Sequence, residues 1–198
     1  MASIDLPAFK AGDGAVANSP EPIGDVSDSN LTSPRPSDYT ADFLARAAIA
    51  AGFCLLAIQT WARWGDLQID CGREVYVPYE ILKGRMLYRD IAYPYGPLVP
   101  YLQAIVVAIF GLHLITFYFV GLVCTLTISY LAYSIARRML PPAAALAVSI
   151  VCLTQAFNPF LFNYVFPYSY AAVVGLLLGL ATLHFLFDLV FWVEGRVL

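Results

Sequence analysis

Three long apolar runs leave this chain few ways to fold. Residues 43–61, 114–136 and 170–192 are 19, 23 and 23 residues long and carry only Arg46 and Asp188 as ionised groups. Inside hydrocarbon every backbone N–H and C=O must be satisfied within the segment, which for an isolated run means a helix. About 20 apolar residues, rising 1.5 Å each, cover a hydrocarbon core about 30 Å thick. Residues 143–157, opened by Pro141 and Pro142, form a shorter apolar run and complete a four-span reading. The expected class is all-α, a polytopic transmembrane helical bundle. Composition agrees, with 60% hydrophobic and 13% charged residues among 198. The net charge of -3 supplies no basic field for a phosphate backbone, so nucleic acid is not an expected partner.

The remaining sequence divides around those runs. Residues 1–40 are rich in Gly, Pro, Ser, Asp and Asn, with too little apolar surface to offset chain entropy, and read as a disordered cytoplasmic tail. Residues 41–198 form the transmembrane domain. The tail has no basic stretch followed by a short apolar core and a small-residue cleavage site, so the first span is the expected insertion signal. Cys54, Cys124 and Cys152 fall in apolar runs and Cys71 in a polar loop, a spacing without a C-x-x-C metal or redox pattern. His113 and His184 are read as interfacial or interhelical hydrogen-bonding groups. Asp188, close to the end of the last span, is expected to face headgroups.

Orientation follows from Arg137 and Arg138, which belong on the cytoplasmic side by the positive-inside rule. Residues 97–110 are apolar but cover only about 21 Å as a helix. With a cytoplasmic amino terminus, a crossing there would send the arginine pair outside, whereas a juxtamembrane helix keeps the pair inside. The second reading gives four spans and a large first non-cytoplasmic loop, residues 62–113, with juxtamembrane helices. On this reading the protein is an integral, multi-pass membrane protein.

That loop holds an unusual concentration of charge. Between Arg63 and Pro97 lie five acids (Asp66, Asp70, Glu74, Glu80, Asp90) and five bases (Arg63, Arg73, Lys83, Arg85, Arg89). Two readings stay open on the residues alone: a solvated loop with local ion pairs, or a site at the lipid–water boundary. A carboxylate there can deprotonate an acceptor, and guanidinium groups suit phosphate oxygens. A helical reading sets Asp70 and Glu74 one turn apart, a like-charge pair that Arg73, a metal ion or a substrate cation would relieve. Tyr93-Pro94-Tyr95-Gly96-Pro97 cannot be regular helix, because each proline fixes φ and biases its predecessor to extended shapes. It is expected to form a rigid elbow before the next apolar helix. The tyrosines suit an interfacial aromatic belt, a sugar-stacking surface or the wall of a polyprenyl groove.

The order of these elements resembles a known family. Asp70-Cys71-Gly72-Arg73-Glu74, then Gly84-Arg85-Met86-Leu87-Tyr88-Arg89-Asp90-Ile91, then Pro94-Tyr95-Gly96-Pro97-Leu98, and finally Ala136-Arg137-Arg138 are similar to the pattern of bacterial membrane glycosyltransferases of the GT-C class, akin to protein mannosyltransferases and lipid A aminoarabinose transferases. The similarity covers residues 43–157. It implies transfer of a sugar from a polyprenyl-phosphate-linked donor to an envelope lipid, glycan or protein acceptor at the non-cytoplasmic face. By the same resemblance Asp70 is the catalytic base or the ligand of a divalent metal such as Mg or Mn, a metal the sequence itself does not require. Asp90 is the second catalytic acid, and Arg73, Glu74, Lys83, Arg89 and Tyr95 are substrate-binding residues. Gly96-Pro97-Leu98 stands where the class more often has P-P-L. The class also has more spans and a soluble carboxyl-terminal domain, so the resemblance implies a missing carboxyl-terminal portion or a partner subunit. The alternative is a non-catalytic membrane remnant or a lipid-binding subunit.

Overall fold

The computed structural model describes residues 36–65, 71–159 and 163–193. The chain divides into two units, Met1–Pro34 and Arg35–Leu198. The expected disorder of residues 1–40 falls mainly on the first unit, outside the described residues. The first helix begins at Pro36, inside the range expected for the tail.

The second unit contains six described helices: α1 Pro36–Gln59, α2 Cys71–Leu82, α3 Leu98–Phe110, α4 Leu114–Arg137, α5 Pro142–Ala156 and α6 Tyr170–Val193. Three stretches of them, Tyr39–Gln59, Leu114–Arg137 and Tyr170–Val190, are long and apolar enough to cross a membrane. The fourth expected span differs. α5 has 15 residues and covers only about 22 Å, short of a full hydrocarbon core. It packs against both α1 and α4. Small side chains allow that approach, since Ala145 and Ala156 are fully buried. Ser149 on α5 donates to the Ser129 carbonyl of α4 at 2.8 Å, tying the two together inside the bundle.

The segment between α5 and α6 is part of the core. Val165 and Phe166 are completely buried, as are Phe117, Tyr133 and Tyr170. Gly121 of α4 makes room for this segment, because a Cβ at that position would overlap the Val165 backbone. The Tyr170 hydroxyl reaches the carbonyls of Phe117 (2.8 Å) and Val165 (2.9 Å), and Asn163 Oδ1 accepts the Phe166 N–H at 2.7 Å. Around Phe166 stands a set of edge-to-face rings: Tyr118 is 5.4 Å from it and Trp64 is 5.4 Å from Tyr118. Trp64, just beyond α1, is therefore a core residue.

Charged residues of the spans gather at the end of α4. Arg137 Nε pairs with Asp42 of α1 at 2.7 Å, and the Tyr133 hydroxyl donates to the same carboxylate at 2.8 Å. Arg138 pairs with Asp188 of α6, whose other oxygen lies 3.0 Å from His184 Nδ1, and His184 Nε2 is 2.8 Å from Ser134 Oγ. Asp188 thus joins helices instead of simply facing headgroups. His184 has the interhelical role expected of it, and pairing of this kind is what makes ionised groups tolerable in a membrane helix.

Candidate site at the first turn of α2

The amphipathic helix α2 arises from a plain pattern. Cys71, Glu74, Val77 and Pro78 are buried while Tyr76 and Tyr79 are exposed, the spacing of a helix with one covered face. Pro78 removes one internal N–H, but helix continues on both sides of it. Gly84, at φ +84, closes the helix in the left-handed conformation suited to glycine, its N–H bonded to the Ile81 carbonyl at 2.9 Å. As expected, the Tyr93–Pro97 segment is not helical, and α3 follows at Leu98.

The buried face of α2 clasps the chain just before α6. Cys71 Sγ lies 3.6 Å from the Phe166 carbonyl. Arg73 Nη2 donates to the Tyr168 carbonyl at 3.2 Å, and the Tyr170 N–H donates to Glu74 Oε2, also at 3.2 Å. Two neighbouring side chains of α2 therefore hold one carbonyl and one amide of the 168–170 backbone. Arg73 lies between two aromatic faces, its guanidinium carbon 5.2 Å from the ring centre of Tyr95 and 5.2 Å from that of Tyr168. Glu74 Oε1 faces Arg73 Nε at 3.6 Å.

Electrostatics follow from that enclosure. Burial raises the Glu74 carboxyl above its ordinary value, against the opposing pull of the Tyr170 N–H and of Arg73. The Tyr93 phenol, buried and without a hydrogen-bond partner among the described residues, is raised by burial and by the negative charge of Glu74. The Tyr95 phenol is raised by its hydrogen bond with Tyr168 and by burial. Arg73 keeps 24% of its side-chain surface exposed and Glu74 none. A ligand arriving here meets the arginine, while the glutamate works through it.

Beside this clasp, α3 and α6 enclose an apolar groove of about 590 Å3. Its walls start at Gly96, next to Tyr95, and at Ala171, three residues beyond Tyr168, and run through Leu98, Leu102, Val174 and Leu178. A second cavity of about 310 Å3 borders Tyr168 and Ser169 and continues along Ala172 and Leu176.

The other expected site residues are arranged separately. Asp70 and Asp66 lie outside the described residues. Lys83 belongs to the opposite end of α2, ten residues and about 15 Å along the axis from Arg73, and there it pairs with Glu80 at 3.2 Å. Arg89 and Asp90 pair with each other at 2.9 Å in an exposed turn. In that turn Asp90 Oδ2 also accepts the Met86 N–H at 2.9 Å, with Tyr88 held at φ +66. The Arg89 hydrogen bond, followed by that of Met86, holds the Asp90 carboxyl down at about 2. Such a group is anionic at neutral pH and is a weak base. Of the expected residues, the structure brings together Arg73, Glu74 and Tyr95, and adds Tyr93, Tyr168 and Tyr170. Tyr168 comes from the polar-aromatic stretch after α5, and Tyr170 is the first residue of α6.

Among the described residues no three His, Cys, Asp or Glu side chains are grouped to hold a metal ion. The buried carboxylate of the clasp faces a guanidinium, a neighbour that repels a divalent cation. Asp70, the residue on which a metal was expected, is not among those described. No protein-family model, curated protein or solved structure matches the chain.

Proposed function

We propose that this protein is a GT-C-type membrane glycosyltransferase, or the amino-terminal module of one, which transfers a sugar from a polyprenyl-phosphate donor to an envelope acceptor at the non-cytoplasmic face of a bacterial plasma membrane. The observation that carries the reading is Arg73, a partly exposed cation held between Tyr95 and Tyr168 where the apolar groove between α3 and α6 begins. An isoprenoid chain needs an apolar groove reachable from the bilayer, and its phosphate needs a fixed cation at the groove's head. Glu74 and the Tyr168 carbonyl hold the guanidinium so that it is already oriented when the phosphate arrives.

In the proposed reaction Asp70 takes the proton of the acceptor hydroxyl. The acceptor oxygen forms a bond to the anomeric carbon as the bond from that carbon to the phosphate oxygen breaks, with inversion. The electron pair leaves on the phosphate, whose added charge Arg73 stabilises. The test is a reconstituted full chain given radiolabelled polyprenyl-phosphate sugar and envelope lipid acceptors. Transfer that falls by two or more orders of magnitude in Asp70→Asn, with donor binding weakened about tenfold or more in Arg73→Gln, supports the reading. Undiminished transfer by Asp70→Asn overturns the role of that residue. Donor binding that depends on Arg73 without any transfer favours the alternative, a lipid-binding subunit, because the groove and cation serve binding alone equally well.

A further inference from the structure

The far end of α2 carries a second arrangement of charge that the proposed transfer does not use. Glu80 has only 5% of its side-chain surface exposed, yet it serves two cations at once. Lys83 Nζ lies 3.2 Å from Oε1 and Arg85 Nε 2.9 Å from Oε2, and both cationic side chains are about half exposed. One buried carboxylate thus hydrogen-bonds one outward cation, lies against a second, and leaves a net positive charge between them. The Lys83 ammonium also sits over the Tyr79 ring, 4.0 Å from its centre, in a cation–π contact. Around the pair, Tyr76, Tyr79, Leu82 and Met86 are exposed. Tyr76, Tyr79 and Lys83, the last one residue past the helix end, follow one another at three-residue and four-residue steps and continue one helical face. The same helix packs on α3, an apolar helix that is itself too short to span.

We infer that this face of α2 is a binding site for an anionic phospholipid, with the headgroup phosphate between Lys83 and Arg85 and the acyl chains against Tyr76, Tyr79 and Met86. Two features single out a lipid over a protein partner. Exposed aromatic and thioether side chains accompany the cations on a helix packed against the apolar α3, and tyrosine and snorkelling lysine are the residues that favour the headgroup level. The cations are preset by a carboxylate of the fold, so a headgroup phosphate meets them without ordering two long side chains. The site is separate from Arg73 and stands or falls independently of the transfer reaction.

The experiment is native mass spectrometry of the full chain in detergent, offered equal amounts of phosphatidylglycerol and phosphatidylcholine. Wild type is expected to retain phosphatidylglycerol about tenfold over phosphatidylcholine, below the full value of two independent surface cations because they share Glu80. Removing both cations strands a buried carboxylate, so the deciding variant is Lys83→Gln/Arg85→Gln/Glu80→Gln, which leaves no unpaired charge behind. It is expected to lose the preference, with Arg63→Gln keeping it. Phosphatidylglycerol retention unchanged in the triple variant overturns the site. Complete displacement of the lipid by millimolar glycerol phosphate also overturns it, because the ligand would then be a free phosphate and not a membrane lipid.

Discussion

Glu74 shows how a single side chain can be legible as chemistry while its surroundings are not. Its position beside Arg73 marks it as part of a charged site, but only the fold buries it fully, by bringing up residues 168–170 from 96 positions away. The consequence is a pH signature. For a carboxyl raised by burial, both folded and unfolded states hold the proton below the ordinary value of 4.5. As pH rises from there through the shifted value, the folded state pays for ionisation and stability falls. Glu74→Gln keeps an oxygen for the Tyr170 N–H and removes the ionisation. Thermal unfolding should therefore show the variant gaining on wild type as pH rises through that window, and a constant difference would sink the assignment. Asp90 works with the opposite sign. Its contribution is fully present above 3.8 and is lost as pH falls through about 2. Asp90→Asn should be less stable than wild type near neutrality and converge with it at the acid end, a comparison that hydrogen exchange of the 86–91 turn can follow.

At the scale of elements, the runs at 114–136 and 170–192 became α4 and α6 with ends moved by one residue. Hydrocarbon enforces helix on such runs, so their limits are written in composition. The start of α3 was equally legible from Pro94 and Pro97. The insertion of residues 163–169 into the bundle was not, since an aromatic turn has no period, and its fit depends on a missing side chain at Gly121 of a different helix. For the same reason Lys83 and Arg73 looked like members of one site until helix geometry set them at opposite ends of α2. Gly121→Ala should cost about 1–3 kcal/mol by overpacking and should weaken the Arg73 clasp, because Tyr168 moves with the displaced segment. Gly179→Ala, on α6 with nothing within 4 Å of an added Cβ, should instead stabilise by about 0.5–1 kcal/mol. Thermal unfolding of the two alanine variants side by side tests whether close approach, and not helix propensity, governs the first.

At the scale of the whole molecule, the helices are joined at one end by Asp42–Arg137 and Arg138–Asp188 and near the other by the α2 clasp on residues 168–170. A double-mutant cycle on Asp42→Asn and Arg137→Gln should return a coupling of about 0.5–3 kcal/mol, and additive single effects would show the pair to be incidental. The clasp has a bearing on how the protein is made. Arg73 and Glu74 leave the ribosome 95 and 96 residues ahead of the backbone groups that receive them, roughly 5–20 s at ordinary rates of synthesis. During that interval the first loop carries its glutamate without the amide that will hold it, and the groove has no second wall. A nascent chain arrested before residue 168 should therefore bind no isoprenoid phosphate. Completion of α6 is the event that closes the clasp and gives the groove its second wall.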